Sequence, residues 1–338
     1  MQLAESRSAS LHRFFDGIVV GPGERPTEAL ALCLESGGDL SRVPGLVHVV
    51  DGKVERVPQA SPVPLEEIPL PEEVFDRSAY LADGMVEPLR IRLSQACTWG
   101  RCAFCNITGH RHLFPLQRPA EEAMFSRVEA LARRGEKVVY LADDEADPEM
   151  LERFSRWLLE REIRIYWTTN LRFSPKMTLE WARTLFRAGC RGPAVGVEVL
   201  DDRLLALMRK GTDLELIDRC LENLAWGSLP VMAYMIVGLP TETEEEARAS
   251  FELLRGYVLE GKIDRAIYSL YGISPRSPVQ RFPARYGITA VHPRPGADLS
   301  PHCFDFDHAG MDRRRAAGLV AEFSAAIDEA RRSRVGTA

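Results

Sequence analysis

Three of the seven cysteines in this 338-residue chain fall within nine residues: Cys97-Thr98-Trp99-Gly100-Arg101-Cys102-Ala103-Phe104-Cys105. Thiolates this close in sequence can converge on one metal centre. A 4Fe-4S cluster usually takes four cysteines, so three leave one iron open to a substrate or cofactor. Zinc held by the same cysteines plus His110 or His112 is the alternative that spacing allows. Three unrelated core cysteines fit poorly, because the loop carries Gly, Arg and Asn. Cys33, Cys190 and Cys220 stand in segments that read as helix or strand starts, and there they read as packing residues.

A loop of this kind needs a rigid frame. From Leu89 onward, apolar β-rich runs alternate with amphipathic segments. The runs are Ile91–Ala96, Val138–Ala142, Ile163–Thr169, Ala194–Val199, Val231–Val237 and Ala266–Ile273. Helical periodicity marks Glu149 to Arg161, then Leu179 to Phe186, then Leu214 to Leu224. Thr241 and Glu244 fit a capping box opening a later helix. Six β/α units predict a parallel sheet with right-handed crossovers. Six are too few for an eight-unit barrel and fit a curved, open, partial barrel. In such folds chemistry sits at the C-terminal ends of the strands, and the cysteines directly follow the first strand.

Composition excludes some functions. Lys plus Arg is 43 against 49 Asp plus Glu, a net charge of -6, which argues against a nucleic-acid or anionic-membrane binder. The basic run Arg331-Arg332-Ser333-Arg334 reads as a solvated helix end. No apolar run reaches the length of a membrane span, and Met1 to Ser10 lacks a signal-peptide core. A cytoplasmic, reducing location is expected, where clustered cysteines mean metal rather than disulfides.

From about residue 15 to 280, the chain resembles the radical S-adenosylmethionine (radical SAM) superfamily. The family loop is C-x3-C-x2-C; here it is C-x4-C-x2-C, one residue longer in its first gap. The resemblance implies an α/β fold, a partial (β/α)6 radical SAM barrel with a small N-terminal α/β extension. It implies that Cys97, Cys102 and Cys105 hold a 4Fe-4S cluster whose open iron chelates S-adenosylmethionine. One electron then cleaves a carbon–sulfur bond, and the resulting 5′-deoxyadenosyl radical takes a hydrogen from the substrate. Phe104 matches an aromatic position near the adenine. Glu198, in Gly196-Val197-Glu198, matches a segment that contacts the cofactor's polar groups. Asn170 and Arg172, ending the third strand, would bind its ribose or carboxylate. Gly238, in Ile236-Val237-Gly238-Leu239-Pro240, would let the backbone approach adenine. Where the family has a Gly-Gly-Glu type segment for the methionine ammonium, this chain has Ala142-Asp143-Asp144-Glu145, so Asp143 and Asp144 are the candidates there.

Asp16 to Glu24, a helix, Val43 to Val47 and the linker around Ile68 to Pro71 resemble the end of a cobalamin-binding Rossmann-like domain. The expected units are therefore residues 1–85 as that extension and linker, 86–280 as the barrel, and 281–338 as a loop and helix covering it. The body of a cobalamin domain and its Asp-x-His-x-x-Gly motif are not found in the sequence. Cobalamin is left open: the function lost it, or a partner supplies the domain. Branches with this appearance modify peptides or small natural products, some by C-methylation, and draw electrons from a flavodoxin or ferredoxin. In the irregular stretch His292 to His308, Cys303 is a candidate hydrogen-atom donor, alongside a second metal site with His302 and His308 or an ordinary covering loop. The competing readings are a non-catalytic, cluster-bearing partner subunit and a zinc-stabilised binding protein.

Overall fold

The alternation of apolar runs and amphipathic segments folds as a parallel sheet whose helices cover one face. A computed structural model describes residues 14–69, 88–294 and 304–336. Ahead of the parallel sheet, β1 (Gly17–Val19), β2 (Leu46–Val50) and β3 (Lys53–Arg56) form a small antiparallel sheet. Helix α1 (Glu24–Ser36) joins β1 to β2 and ends at Gly37, in the left-handed conformation that suits glycine.

The main sheet holds β4 (Leu89–Ile91), β5 (Val138–Leu141), β6 (Tyr166–Leu171), β7 (Ala194–Glu198), β8 (Val231–Val237) and β9 (Ile263–Leu270). They are hydrogen-bonded in that order and all parallel. The helices between them are α2 (Asn106–His110), α3 (Glu121–Arg133), α4 (Pro148–Glu160), α5 (Leu179–Arg187), α6 (Asp202–Leu207), α7 (Leu214–Trp226) and α8 (Glu244–Leu259). Short polar side chains start four of them. Asp147, Thr178, Asp201 and Asp213 each accept a hydrogen bond from a first-turn amide, and such caps contribute about 1 kcal/mol each. Helix α8 has a full capping box, formed by Thr243 and Glu246. That is two residues later than the sequence pattern suggests. Thr241 instead sits in a turn at φ 65° and gives its N–H to His308 Nδ1 at 2.8 Å.

The core follows the period of each element. On α4, Leu151, Phe154 and Leu158 face the sheet and are fully buried. Trp167 of β6 meets Phe154 edge-on at 5.4 Å and donates from Nε1 to the Ala188 carbonyl at 2.9 Å. One side chain thus ties β6, α4 and the end of α5 together.

After β9, the chain runs through α9 (Pro278–Arg281) into an antiparallel hairpin of β10 (Ile288–Pro293) and β11 (Phe304–His308), then α10 (Arg313–Gly336). The stretch His292 to His308 is therefore partly strand rather than irregular. Ladder pairing decides this, since Pro293 and the aspartates obscure the local pattern. Cys303 and His302 lie outside the described residues, as do Leu70 and Pro71 of the linker. Phe323 of α10 stacks on Phe251 of α8 at 4.4 Å. The basic run at its end is not merely solvated: Arg331 and Arg334 both pair with Asp264 of β9, at 3.5 and 2.9 Å.

The turn after β8 is held from both sides. Buried Glu242 accepts from the amides of Gly238 and Leu239 at 2.5 and 2.9 Å, and its carbonyl accepts from Met311. Burial, opposed by those two amides, pushes its carboxyl up to about 7.

Two outcomes follow. Trp167→Ala opens a cavity and orphans the Ala188 carbonyl; urea unfolding should show a loss of about 3–5 kcal/mol. Glu242 has a folded pKa above its unfolded value. Its stabilisation is therefore present below the unfolded value and fades as pH rises toward 7. Glu242→Gln should remove up to ~1.4 kcal/mol per pH unit of that slope, measured as the wild-type-minus-variant stability between about pH 4.5 and 7.

Candidate active site

The strand β4 ends at Ile91, two residues before the first carboxylate-bound residue, Leu93, and the residues after β5 supply the carboxylates. Asp143 is fully buried. Its Oδ1 accepts from the Leu93 amide at 2.8 Å, and its Oδ2 from the Ser94 amide at 3.1 Å and hydroxyl at 2.9 Å. Burial raises its carboxyl to about 6, against those bonds. Asp144 Oδ2 accepts from the amide of Ala96, a residue at φ 67°. Glu145 Oε2 accepts from the Thr98 amide and hydroxyl, both at 2.8 Å, and from the Cys97 thiol at 3.0 Å. Three successive acids thus clasp residues 93–98. A left-handed alanine costs energy that only such surroundings repay.

A second set of contacts pins the far side of the loop. The Trp99 indole donates to the Arg209 carbonyl at 2.9 Å, with the guanidinium of Arg172 at 4.5 Å and that of Arg101 at 5.2 Å from its ring. Arg172 also donates to the carbonyls of Lys210 and Gly211. A Cβ on Gly211 would stand 2.2 Å from the indole, so only glycine admits Trp99 there. The Ala103 amide donates to the Met208 carbonyl and the Val279 amide to the Ala103 carbonyl. These bonds join the end of β4 to the segments after β7 and β9. In a flat sheet, β4 and β7 would be roughly 14 Å apart. The C-terminal ends of the strands therefore curl together around the cysteines.

Glu198 closes β7 at φ 69° and pairs with Lys210 at 2.7 Å, both largely buried. Gly196 makes room for the pair, since a Cβ there would come within 2.5 Å of Glu198 Oε1. Lys210 Nζ also lies 5.8 Å from the Phe104 ring. Asn170 donates to the Tyr140 hydroxyl at 2.8 Å and to the Asp143 carbonyl at 3.0 Å.

Cys97, Cys102, Cys105, Phe104, Arg172 and Glu198 thus share one neighbourhood, and Asn170 joins it through Asp143. Asp143 and Asp144 belong to it as braces of the loop, with carboxylates occupied by its backbone. Gly238 follows β8 at φ 86°, and a Cβ there would stand 3.0 Å from Ala316 of α10. Glu145, Lys210 and Trp99 also belong to this neighbourhood, yet reading the sequence gave them no individual role. The run of three acids after a strand is the signal that identifies Glu145; Lys210 and Trp99 meet their partners only in three dimensions.

The donor chemistry fits an iron–sulfur group. Among the described residues, no three His, Cys, Asp or Glu side chains are grouped as a metal site, and the Cys97 thiol turns to Glu145. Burial, with Glu145 alongside, raises Cys97 to about 12, and burial raises Cys102 to about 11 and Cys105 as well. Thiols held neutral in this way ionise when a metal supplies positive charge. Nearby, Arg172 Nε and Thr212 Oγ1 are buried without a partner.

The sequence pattern of the radical SAM superfamily matches residues 91–254. An uncharacterized methyltransferase of Pyrococcus horikoshii is 27% identical over 259 residues, covering 71% of this chain and 52% of that protein. Two solved structures show the same fold. The radical S-adenosylmethionine methyltransferase TsrM of Kitasatospora setae, with tryptophan and a SAM analogue bound, has a TM-score of 0.69 at 20% identity, covering 95% of this chain and 69% of that one. The cobalamin-dependent S-adenosylmethionine radical enzyme OxsB, with aqua-cobalamin bound, has a TM-score of 0.70 at 17% identity, covering 92% of this chain and 51% of that one. The chain spans about half the length of the curated relatives it matches. With its parallel sheet and strand-end cysteine loop, the chain carries a radical SAM domain over residues 91–254.

Proposed function

We propose that the chain is a radical SAM enzyme that modifies a peptide or small natural product, by methyl transfer. The observation that carries this reading is the three-cysteine loop, clasped at the C-terminal edge of the sheet beside the buried Glu198–Lys210 pair. Cys97, Cys102 and Cys105 would hold a 4Fe-4S cluster, which supplies the electron that cleaves S-adenosylmethionine. The protein's own part is positional. Asp143, Asp144 and Glu145 hold the loop in one conformation. Lys210 neutralises Glu198 and fixes its carboxylate at the strand end, ready to accept from a polar cofactor group. Arg172, stacked on Trp99, offers a guanidinium for a carboxylate or ribose. Backbone strain at Ala96 and Glu198 is typical of places where a fold is shaped for a ligand.

Relatives named as methyltransferases support the methyl-transfer reading. TsrM and OxsB bind cobalamin, so a cobalamin domain supplied by a partner belongs to this proposal, with a flavodoxin or ferredoxin as electron donor. Among the described residues, no helix is long and apolar enough to cross a membrane. We place the enzyme in the cytoplasm, where reduced thiols persist.

Anaerobic reconstitution with iron and sulfide should load about four irons per chain. With S-adenosylmethionine and a strong reductant, 5′-deoxyadenosine should accumulate, and Cys102→Ala should make none. Zinc binding in place of iron would refute the proposal. Glu145→Gln weakens the brace on Cys97 and Thr98, and iron affinity should fall on the order of 10–100-fold, as for other partners of metal ligands. In Gly211→Ala, the added methyl displaces the Trp99 ring; iron content after desalting should drop below wild type, with a helical circular-dichroism spectrum unchanged.

A further inference from the structure

The opposite edge of the sheet, where the strands begin, carries a charge that the cysteine site does not use. An open cleft of about 620 Å³ lies between the C-terminal ends of α4 and α5 and the starts of β5 and β6. That volume suits a drug-sized ligand. Lys137, Arg164, Arg187 and Arg191 line it, with Glu162 as its one acid. All four cations are exposed, and among the described residues none of them forms an ion pair. The chain as a whole has a net charge of -6, so this cleft runs against its average.

Helix ends account for part of the charge. A helix C-terminus carries about −0.5 of an elementary charge, which favours nearby cations. Arg187 closes α5, and Arg191 donates from Nη1 to the Phe186 and Cys190 carbonyls at 2.8 and 2.6 Å. Four cations and one acid leave three net positive charges, of which two helix ends offset about one. Lys137 and Arg164 lie outside the helices and lead into β5 and β6. Arg187 also lines an adjoining cleft with Glu160 and Glu180, and pairs with neither.

The cleft is held in shape. Gly189, at φ 95°, lets the end of α5 close on the start of β6, since a Cβ there would stand 2.1 Å from the Ile165 carbonyl oxygen. The Tyr166 amide donates to the Lys137 carbonyl at 2.8 Å and sets the two strand starts side by side. The Arg191 guanidinium lies 4.1 Å from the Phe186 ring and 5.3 Å from the Tyr166 ring. Its carbonyl bonds use Nη1 alone and leave Nε and Nη2 for a ligand. Tyr166 is 55% exposed, a bare ring beside a fixed guanidinium. Leu159 and Ile163, both half-buried, add an apolar wall.

We propose that this cleft binds a small molecule with a phosphate or two carboxylates on a flat apolar body. Its charge answers the surplus of about two that the helix ends leave. Its body answers the Tyr166 ring and the apolar wall. The planar fork of arginine suits carboxylate and phosphate groups. Strand β6 spans six residues, Tyr166–Leu171, so the cleft and the cysteine edge are roughly 17 Å apart. The occupant is therefore a separate ligand from those of the cysteine site, and the proposal does not rest on the cluster reading.

The test uses the full chain, reconstituted with iron and sulfide, and 1-naphthyl phosphate at about pH 8, where phosphate monoesters are dianions. Fluorescence titration should show saturable binding that weakens as salt is raised. Arg164→Glu and Lys137→Glu should each weaken it roughly tenfold. Tyr166→Ala, which removes the ring, should weaken it roughly fivefold. Arg219→Glu, an equal charge change on α7 outside the cleft, should leave it unchanged. Should one of the two cleft charge variants fail to fold, the other carries the test. Cys102→Ala should bind the probe as wild type does; loss in that variant alone would put the probe at the cysteine edge and overturn the proposal. No saturation by about 1 mM probe overturns it as well. So does equal binding by wild type and the Arg164 and Lys137 variants. Displacement by neutral 2-naphthol as effective as by phenyl phosphate would mark a purely apolar cleft and would also overturn it.

Discussion

Three consecutive carboxylates at the end of one strand hold the loop that follows its neighbour, and the rest of the site depends on that clasp. Asp143, Asp144 and Glu145 reach across from β5 and take up the amides of Leu93, Ser94, Ala96 and Thr98. A loop that turns away from a sheet leaves its amides unpaired, and buried unpaired amides are costly. Carboxylates answer this with charge-assisted bonds, which are the stronger kind. The result is a backbone held in place ahead of the cysteines, while the Cys97 thiol itself turns to Glu145. The acids stand where the family's usual segment would contact the cofactor, and here that segment works on the protein's own backbone.

The longer first gap of the cysteine motif has a visible accommodation. Within that gap, Trp99 leaves the loop and lies on Gly211, with the guanidinium groups of Arg172 and Arg101 by its ring. The indole then links the β4 end to the segment after β7, and Arg172 becomes part of the same stack. Sheet curvature, loop conformation and the placing of a candidate cofactor arginine are one coupled arrangement. Double-mutant coupling between such neighbours is expected physically, because each contact presupposes the others.

The C-terminal hairpin and helix act at the other side of the sheet. Glu242, His308 and Met311 tie the turn after β8 to that unit, and α10 covers β9. Gly238 belongs to this contact with Ala316. Its left-handed φ serves the turn, and its missing side chain admits the helix.

Much of this was legible in the residues alone. Period-2 and period-3.6 patterns from Leu89 onward report burial directly, so six parallel strands and their helices could be read in order. Three cysteines in nine residues mark a candidate metal-binding loop, because thiol chemistry does not depend on the fold. Local pattern was weaker where pairing decides structure. The strand at Phe304–His308 is visible only beside Ile288–Pro293, and the capping box moved to Thr243 because His308 captures the Thr241 amide. The contacts of Trp99 with Arg209, of Glu198 with Lys210, and of Asp143 with Leu93 join residues 12 to 110 positions apart. Sequence by itself determined which elements form and which atoms could bind metal, since those follow from side-chain chemistry and periodicity. Only the tertiary structure decided which acids brace the loop, which face of the sheet stays open and which residues meet around the cysteines, because the curl of the sheet sets those distances.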